Sequence, residues 1–219
     1  MRSKRISGLY AVTPETSDTD WLVARVRAVL EGGARLVQYR SKSTDLRRRE
    51  QQAGRLLDLC REQQAFLIIN DDMVLARRLG ADGVHLGRDD MSVADARAVL
   101  GDVALIGVSC YASLARARQA QGEGADYVAF GSFFPSAVKP DAVHAPIELL
   151  RSARRLIELP LVAIGGITPE NARDLIEAGA DSLAVISALF QASDTRLAAR
   201  AFAGLFQMQD ESLRIDSGR

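Results

Sequence analysis

The chain has 219 residues, enough for one large domain or two small ones with a substantial core. Lys plus Arg and Asp plus Glu both total 28, so no net field draws the molecule toward nucleic acid or an anionic membrane, and any affinity for an anion has to be local. Hydrophobic content is 47%, charged content is 26%, and no apolar run approaches the roughly 18 residues of a membrane span, so a soluble globular protein is expected. The start, "MRSKRISGLYAVT", is basic but lacks the apolar run of a signal peptide. Cys60 and Cys110 lie far apart without metal-ligand spacing and read as reduced core thiols of a cytoplasmic protein.

In chain order, short and nearly uninterrupted apolar runs predict strands at 8–13, 36–40, 65–70, 83–87, 104–110, 127–132, 161–166 and 182–187. Stretches with helical spacing, such as "DWLVARVRAVLEGG" and "SLARARQAQGEG", separate them, giving eight strands and eight helices. "GGAR" (32–35), "LGAD" (79–82), "EGAD" (123–126) and "AGAD" (178–181) each close a helical stretch just before a strand. Glycine there can take the left-handed conformation that ends a helix, so four copies imply a repeated βα unit. Eight such units in about 200 residues predict a closed (β/α)₈ TIM barrel over residues 1–206, with no linker or second core. Helix starts are expected at Thr168–Pro169 and Pro146, and 207–219 reads as a polar, frayed tail.

In such a barrel, functional groups gather at the C-terminal ends of the strands. The second strand ends in Gln38, Arg40 and Lys42, which alternate and so project to one side. An amide, a guanidinium and an ammonium in phase can bind a polyphosphate; the alternative is a solvated strand end. The third strand ends in Asn70 and Asp71, the fourth in His85 and then Asp89–Asp90. Asp71 and Asp90 come from neighbouring strands, so they can meet at the barrel mouth as the one or two carboxylates that Mg²⁺ uses. Asp72 and Asp89 could instead cap the following helices, and all four acids could be mere caps or surface charge.

The fifth strand ends in Ser109 and the sixth in the longest loop, "SFFPSAVKP" (132–140), where a substrate clamp is expected and where Lys139 could reach a second phosphate. "IGGIT" (164–168) runs into a helix N-terminus, a ready anion site, and the eighth strand ends in Ile186–Ser187. His85 lies in a core strand and reads as a satisfied structural histidine ahead of a base; His144 has no legible role. No Ser-His-Asp spacing and no Cys-His cluster for zinc occurs. A metal pair, a cationic clamp and a second phosphate cradle suit transfer of a group from pyrophosphate onto a phosphorylated acceptor.

The runs "VQYRSK", "NDD", "GVHLGRDD", "IGVSC", "DYVAFGSFFPSAVKP", "AIGGI" and "AVIS", from about Gly8 to Phe206, resemble the thiamine-phosphate synthase family in order and spacing. The resemblance implies transfer of a hydroxymethylpyrimidine group from its diphosphate to a thiazole phosphate, giving thiamine phosphate and pyrophosphate by a dissociative route that needs Mg²⁺. By position it implies that Gln38, Tyr39, Arg40, Ser41, Lys42, Asn70, Ser109 and Lys139 contact the pyrimidine diphosphate, with Arg40, Lys42 and Lys139 neutralising the leaving group. Asp71 and Asp90 would hold Mg²⁺, and Ser136, Ala137, Val138, Gly166, Ile186 and Ser187 would form the thiazole phosphate site.

The family usually has a hydroxyl residue, most often threonine, where this chain has Val138, and glutamine where it has Arg88. Weaker phosphate binding is expected from the first and little effect from the second. A thiazole tautomerase of the same superfamily, a non-catalytic phosphate-binding barrel and another phosphate-binding barrel enzyme such as an epimerase are the rival readings. The first lacks the full clamp and metal pair, the second is favoured only by Val138, and the third does not need a diphosphate clamp beside Mg²⁺. The partners expected are small-molecule substrates, without nucleic acid or membrane. Small barrels often associate, so a homo-oligomer stays open, with no interface legible.

Overall fold

The computed structural model describes residues 6–88, 90–135 and 144–216, with side chains through residue 207. Asp89, Ser136, Ala137, Val138 and Lys139 therefore lie outside the described residues. Eight strands run β1 (Gly8–Val12), β2 (Leu36–Tyr39), β3 (Phe66–Asn70), β4 (Gly83–Leu86), β5 (Leu105–Tyr111), β6 (Tyr127–Phe130), β7 (Leu161–Ile164) and β8 (Ser182–Val185). Each pairs in parallel with the next, and β8 returns to β1 with Tyr10 opposite Ala184, closing the barrel. The expected (β/α)₈ TIM barrel is the observed architecture.

The helices are α1 (Thr19–Glu31), α2 (Leu46–Glu62), α3 (Met73–Leu79), α4 (Val93–Leu100), α5 (Leu114–Gly122), α6 (Glu148–Leu156), α7 (Pro169–Glu177), α8 (Ser187–Phe190) and α9 (Thr195–Asp216). That is nine among the described residues where eight are expected. The extra one, α8, is a single turn directly behind β8, too short to leave a periodic signal. Pro146 does not open α6, which starts at Glu148; the Leu149 N–H donates to the Pro146 carbonyl at 3.0 Å in a preceding turn. Helix α9 continues to Asp216 and so takes in most of the stretch read as a tail.

The repeated joints behave alike. Gly33, Gly80, Gly124 and Gly179 all have positive φ, and the alanine after each donates back into the last helical turn, as in Ala81 N–H to the Ala76 carbonyl at 3.0 Å. In three copies the aspartate then grips the preceding strand twice. Asp126 donates its N–H to the Ile106 carbonyl at 2.8 Å and accepts the Ile106 N–H on its carboxylate at 2.9 Å; Asp82 does the same to Leu67 and Asp181 to Leu161. Arg97 bridges the Gly124 carbonyl and Asp126, and Arg154 bridges the Gly179 carbonyl and Asp181. These clips hold the N-terminal ends of the strands, away from the mouth.

Two cores result. One fills the space between sheet and helices, and both free cysteines are buried in it. The other fills the barrel itself, with Tyr10, Leu36, Ile68, Leu105, Tyr127 and Val162 among its residues. Gly107 stands opposite Tyr127 in the β5–β6 register, and a Cβ on Gly107 would collide with the Tyr127 ring, so a missing side chain on one strand houses a large one on the next. No helix among the described residues is long and apolar enough to cross a membrane.

Candidate active site

The mouth is built from residues just beyond the strand ends. On the β2 side, Gln38 points into the barrel, where its Nε2 donates to the Tyr10 hydroxyl at 2.8 Å. Tyr39 is out of phase: its hydroxyl donates to Gln52 on α2 at 2.8 Å, inside the sheet–helix layer, so only its main chain faces the mouth. Arg40 is fixed through its backbone, whose N–H donates to the buried Thr13 hydroxyl at 2.9 Å, while its guanidinium has no carboxylate partner among the described residues. Glu15 holds the next two residues, accepting from the Ser41 hydroxyl at 3.0 Å and from the Lys42 N–H at 2.7 Å.

The Lys42 ammonium lies 2.6 Å from Asp71 Oδ2. Asp71 follows directly on Asn70, the last residue of β3, and has φ 62, a left-handed conformation that is uncommon without glycine. Its N–H donates to the His85 carbonyl of β4 at 2.9 Å, which holds that conformation in place. The Asp71 and Asp90 side chains lie close enough to shift each other's titration. Both carboxylates close around Gly87: the Gly87 N–H donates to Asp90 Oδ2 at 2.5 Å, and a Cβ there would lie 2.9 Å from that oxygen and 3.8 Å from Asp71 Oδ1.

Burial raises the Asp71 carboxyl, but the hydrogen bonds from Lys42 and Asp90 and the Lys42 charge outweigh it and hold Asp71 below the usual range. Asp90 is raised, by desolvation first and then by the neighbouring Asp71. The two carboxylates thus shift in opposite directions, the behaviour of interacting acids at a spot suited to a cation. Asp72 does something else: it caps α3 by accepting the Leu75 N–H at 2.8 Å and pairs with Arg49 at 2.5 Å. Helix α4 is capped by Ser92. Among the described residues no group of three or more His, Cys, Asp or Glu could hold a metal, so the protein's share would be this carboxylate pair, enough for an ion that takes its other ligands from phosphate and water.

His85 is satisfied on both ring nitrogens, Nδ1 to the Tyr127 hydroxyl at 3.1 Å and Nε2 to the Ser109 hydroxyl at 2.9 Å. Burial lowers its pKa to about 4, against the pull of the Asp71 charge, so the ring is neutral and is no general base in this arrangement. The β5–β6 register shifts between Ser109 and Tyr111, a local irregularity of the kind that re-aims side chains beside sites. Across the mouth, the chain after β6 is zipped onto the β7 turn, with Phe134 N–H donating to the Gly165 carbonyl at 3.0 Å. Asn171 secures that turn from α7, donating to the Gly166 carbonyl at 3.0 Å and accepting the Thr168 N–H at 2.9 Å. Ile186 is the cap position of α8 and Ser187 its first residue.

A family model described as thiamine monophosphate synthase matches residues 9–189. The chain belongs to the thiamine monophosphate synthase family. It is 57% identical over 204 residues to the thiamine-phosphate synthase of Thiobacillus denitrificans, covering 93% of this chain and 97% of that one. It is also 57% identical over 201 residues to that of Methylobacillus flagellatus, covering 92% and 96%. Among solved structures, a thiamine phosphate pyrophosphorylase from Pyrococcus furiosus superposes with a TM-score of 0.83 at 36% identity, over 94% of this chain and 98% of that one. As a member of the thiamine monophosphate synthase family the chain is a transferase that makes thiamine phosphate, within thiamine biosynthesis.

The site of this family member includes residues that strand-end reasoning does not reach. Thr13 and Glu15 belong to the first strand's loop and hold the β2 loop from the side. Arg116 on α5 donates to the carbonyls of Ser109 at 2.7 Å and Gly87 at 2.6 Å, tying the ends of β4 and β5 together. None carries a local sequence signal. Tyr10 and Tyr127 do carry one: a tyrosine inside a core strand needs a partner for its hydroxyl. Arg88 lies over the Tyr111 ring at 4.6 Å.

Proposed function

We propose that the chain couples 4-amino-2-methyl-5-hydroxymethylpyrimidine diphosphate with a thiazole phosphate, releasing pyrophosphate by a dissociative, Mg²⁺-dependent reaction in the cytoplasm. The observation that carries this reading is the convergence of the Asp71 and Asp90 carboxylates beside the Lys42 ammonium, at the mouth of a barrel of this family. The carbon–oxygen bond to the diphosphate breaks first, its electron pair leaving with pyrophosphate. The aminopyrimidine ring stabilises the methylene cation, and the thiazole nitrogen lone pair then forms the new carbon–nitrogen bond. No proton need move to or from the protein, which agrees with a neutral, fully hydrogen-bonded His85.

The residues' work is charge neutralisation and alignment. Arg40, Lys42 and Lys139 balance the leaving diphosphate, with Gln38, Asn70 and Ser109 and the main chain of Tyr39 and Ser41 completing the pyrimidine diphosphate site. Ser136, Ala137, Val138 and Gly166 with the Ile186–Ser187 turn take the thiazole phosphate, where the first N–H groups of α8 have no partner within the helix. Mg²⁺ held by Asp71 and Asp90 would supply positive charge to the diphosphate oxygens.

Purified protein given both substrates and Mg²⁺ is expected to release pyrophosphate and form thiamine phosphate, with release dependent on Mg²⁺ and lost in Asp71→Asn. Turnover unaffected by chelation or by Asp71→Asn would remove the metal assignment. A substrate labelled with heavy oxygen in the bridging position is expected to scramble that label; turnover without scrambling would speak for concerted displacement.

A further inference from the structure

Five side chains from five strands form one hydrogen-bonded chain across the barrel interior. Gln38 Nε2 meets the Tyr10 hydroxyl at 2.8 Å, Tyr10 meets the Tyr127 hydroxyl at 2.8 Å, and Tyr127 meets His85 Nδ1 at 3.1 Å, with His85 Nε2 on Ser109 Oγ at 2.9 Å. The three inner members are buried, Tyr10 and Tyr127 almost completely, and the Tyr127 ring stacks on His85 at 5.6 Å between centroids. The two outer members both reach the mouth, from strands β2 and β5, three places apart around the barrel.

Each hydroxyl has one proton, and a neutral imidazole has one for its two nitrogens. Such a chain can satisfy all its buried groups in only two ways, with every proton pointing toward Ser109 or every proton pointing toward Gln38. A mixed arrangement sets two protons or two lone pairs face to face inside the core. In the structure the Gln38 amide turns its nitrogen to Tyr10. Tyr10 then donates to Tyr127, Tyr127 to His85 Nδ1, and His85 Nε2–H to the Ser109 oxygen. The Ser109 proton is left for the mouth, and so is Gln38 Oε1 as an acceptor.

We propose that Tyr10, Tyr127 and His85 are positioning residues that fix Ser109 as a hydrogen-bond donor and Gln38 as an acceptor toward the substrate, and that these two ends switch only together. Resting on the synthase reading, the ligand recognised is the aminopyrimidine, which offers ring nitrogens that accept and an exocyclic amine that donates. The inner residues touch no substrate. They act by denying the outer two the opposite polarity.

The test reads the histidine tautomer by ¹⁵N NMR in the folded, ligand-free protein, where turnover plays no part. The chain has two histidines, so His144→Gln leaves the His85 nitrogens alone in the spectrum. His85 is expected as the Nε2–H tautomer; the Nδ1–H form, or an averaged mixture, would overturn the proposal without any variant. Gln38→Glu cannot donate when ionised, and is expected to convert His85 to the Nδ1–H form from two strands away. Adding Tyr10→Phe is expected to cut that transmission, so that the tautomer no longer follows residue 38. A folded Gln38→Glu protein with its tautomer unchanged would sink the coupling.

Tyr10→Phe and Tyr127→Phe are expected to lower kcat/KM for the pyrimidine diphosphate about tenfold, with the KM for thiazole phosphate held within about twofold. Equal losses toward both substrates would mean a loosened barrel instead. A parent protein that shows the expected tautomer but no turnover would refute the synthase reading and leave the hydrogen-bonded chain standing.

Discussion

Gly87 shows how one missing methyl group shapes the mouth. It has no strained φ, so alanine is allowed by the backbone, but its Cβ would lie 2.9 Å from Asp90 Oδ2. The clash falls on the tip of an exposed side chain, which can move away at little cost to the fold. Gly87→Ala is therefore expected to change stability by less than about 1 kcal/mol while raising the Mg²⁺ concentration for half-maximal activity about tenfold, as a displaced ligand should. A Mg²⁺ titration of turnover checks this, and an unchanged midpoint would separate Asp90 from the metal. His85 makes a different prediction. Its pKa is depressed from 6.5 to about 4 in the folded state, so between those values the unfolded chain binds more protons. Stability is complete above about pH 6.5 and falls as pH drops toward 4, by about 3 kcal/mol from this group alone. Urea unfolding of the parent and of His85→Gln at a series of pH values should show that slope only in the parent.

The helix-to-strand joints place their chemistry at the opposite end of the barrel from the site, and they differ in burial. The Asp126 carboxylate is 3% exposed and pairs with Arg97 at 2.6 Å, while Asp181 and Arg154 are each more than a third exposed. Removing Asp126 strands a largely buried guanidinium and the Ile106 N–H, so Asp126→Ala is expected to destabilise by about 3–4 kcal/mol. Asp181→Ala, with water able to replace much of what is lost, should destabilise by about 1–2 kcal/mol. Denaturant midpoints rank the two, and equal effects would mean that the clip acts through the main chain alone. The glycine of each joint was legible in sequence because a positive-φ position before a strand has few alternatives. The aspartate's reciprocal grip on the neighbouring strand was not, since "GAD" says nothing about which backbone its third residue meets. Helix α8 escaped for want of length, and the start of α6 was set two residues early because proline marks a turn as readily as a first helical position.

At the scale of the whole molecule, closure was legible because eight apolar runs at regular spacing need burial on both faces, and a closed barrel with helices outside provides it. The mouth was legible for the same reason: polar residues at the ends of core strands have nowhere else to go. That logic brought Asp71 and Asp90 together beside Lys42, and the alternation that turns Gln38 into the barrel turns Tyr39 out toward α2. It could not find side-chain pairs between residues far apart in sequence, such as Thr13 with Arg40 on neighbouring strands, 27 residues apart, or Tyr10 with Tyr127 across the barrel, 117 apart. A chain with 28 charges of each sign has no long-range field with which to hold an anion, so the proposed binding of pyrophosphate would rest on local groups at this mouth. Ligand linkage makes that measurable. With Mg²⁺ and pyrophosphate at about 100 times their dissociation constant the folded state gains about 2.7 kcal/mol, which for a domain of this size raises the melting temperature by roughly 5–10 °C. If Asp71 and Asp90 hold Mg²⁺ as proposed, pyrophosphate without Mg²⁺ should give less than about half of that shift, because Arg40 and Lys42 then act without the ion. In Asp71→Asn the Mg²⁺-dependent part should vanish while the part due to pyrophosphate alone survives. A full shift with pyrophosphate alone, unchanged in the variant, would assign the carboxylate pair to holding Lys42 in place and leave the metal without its ligands.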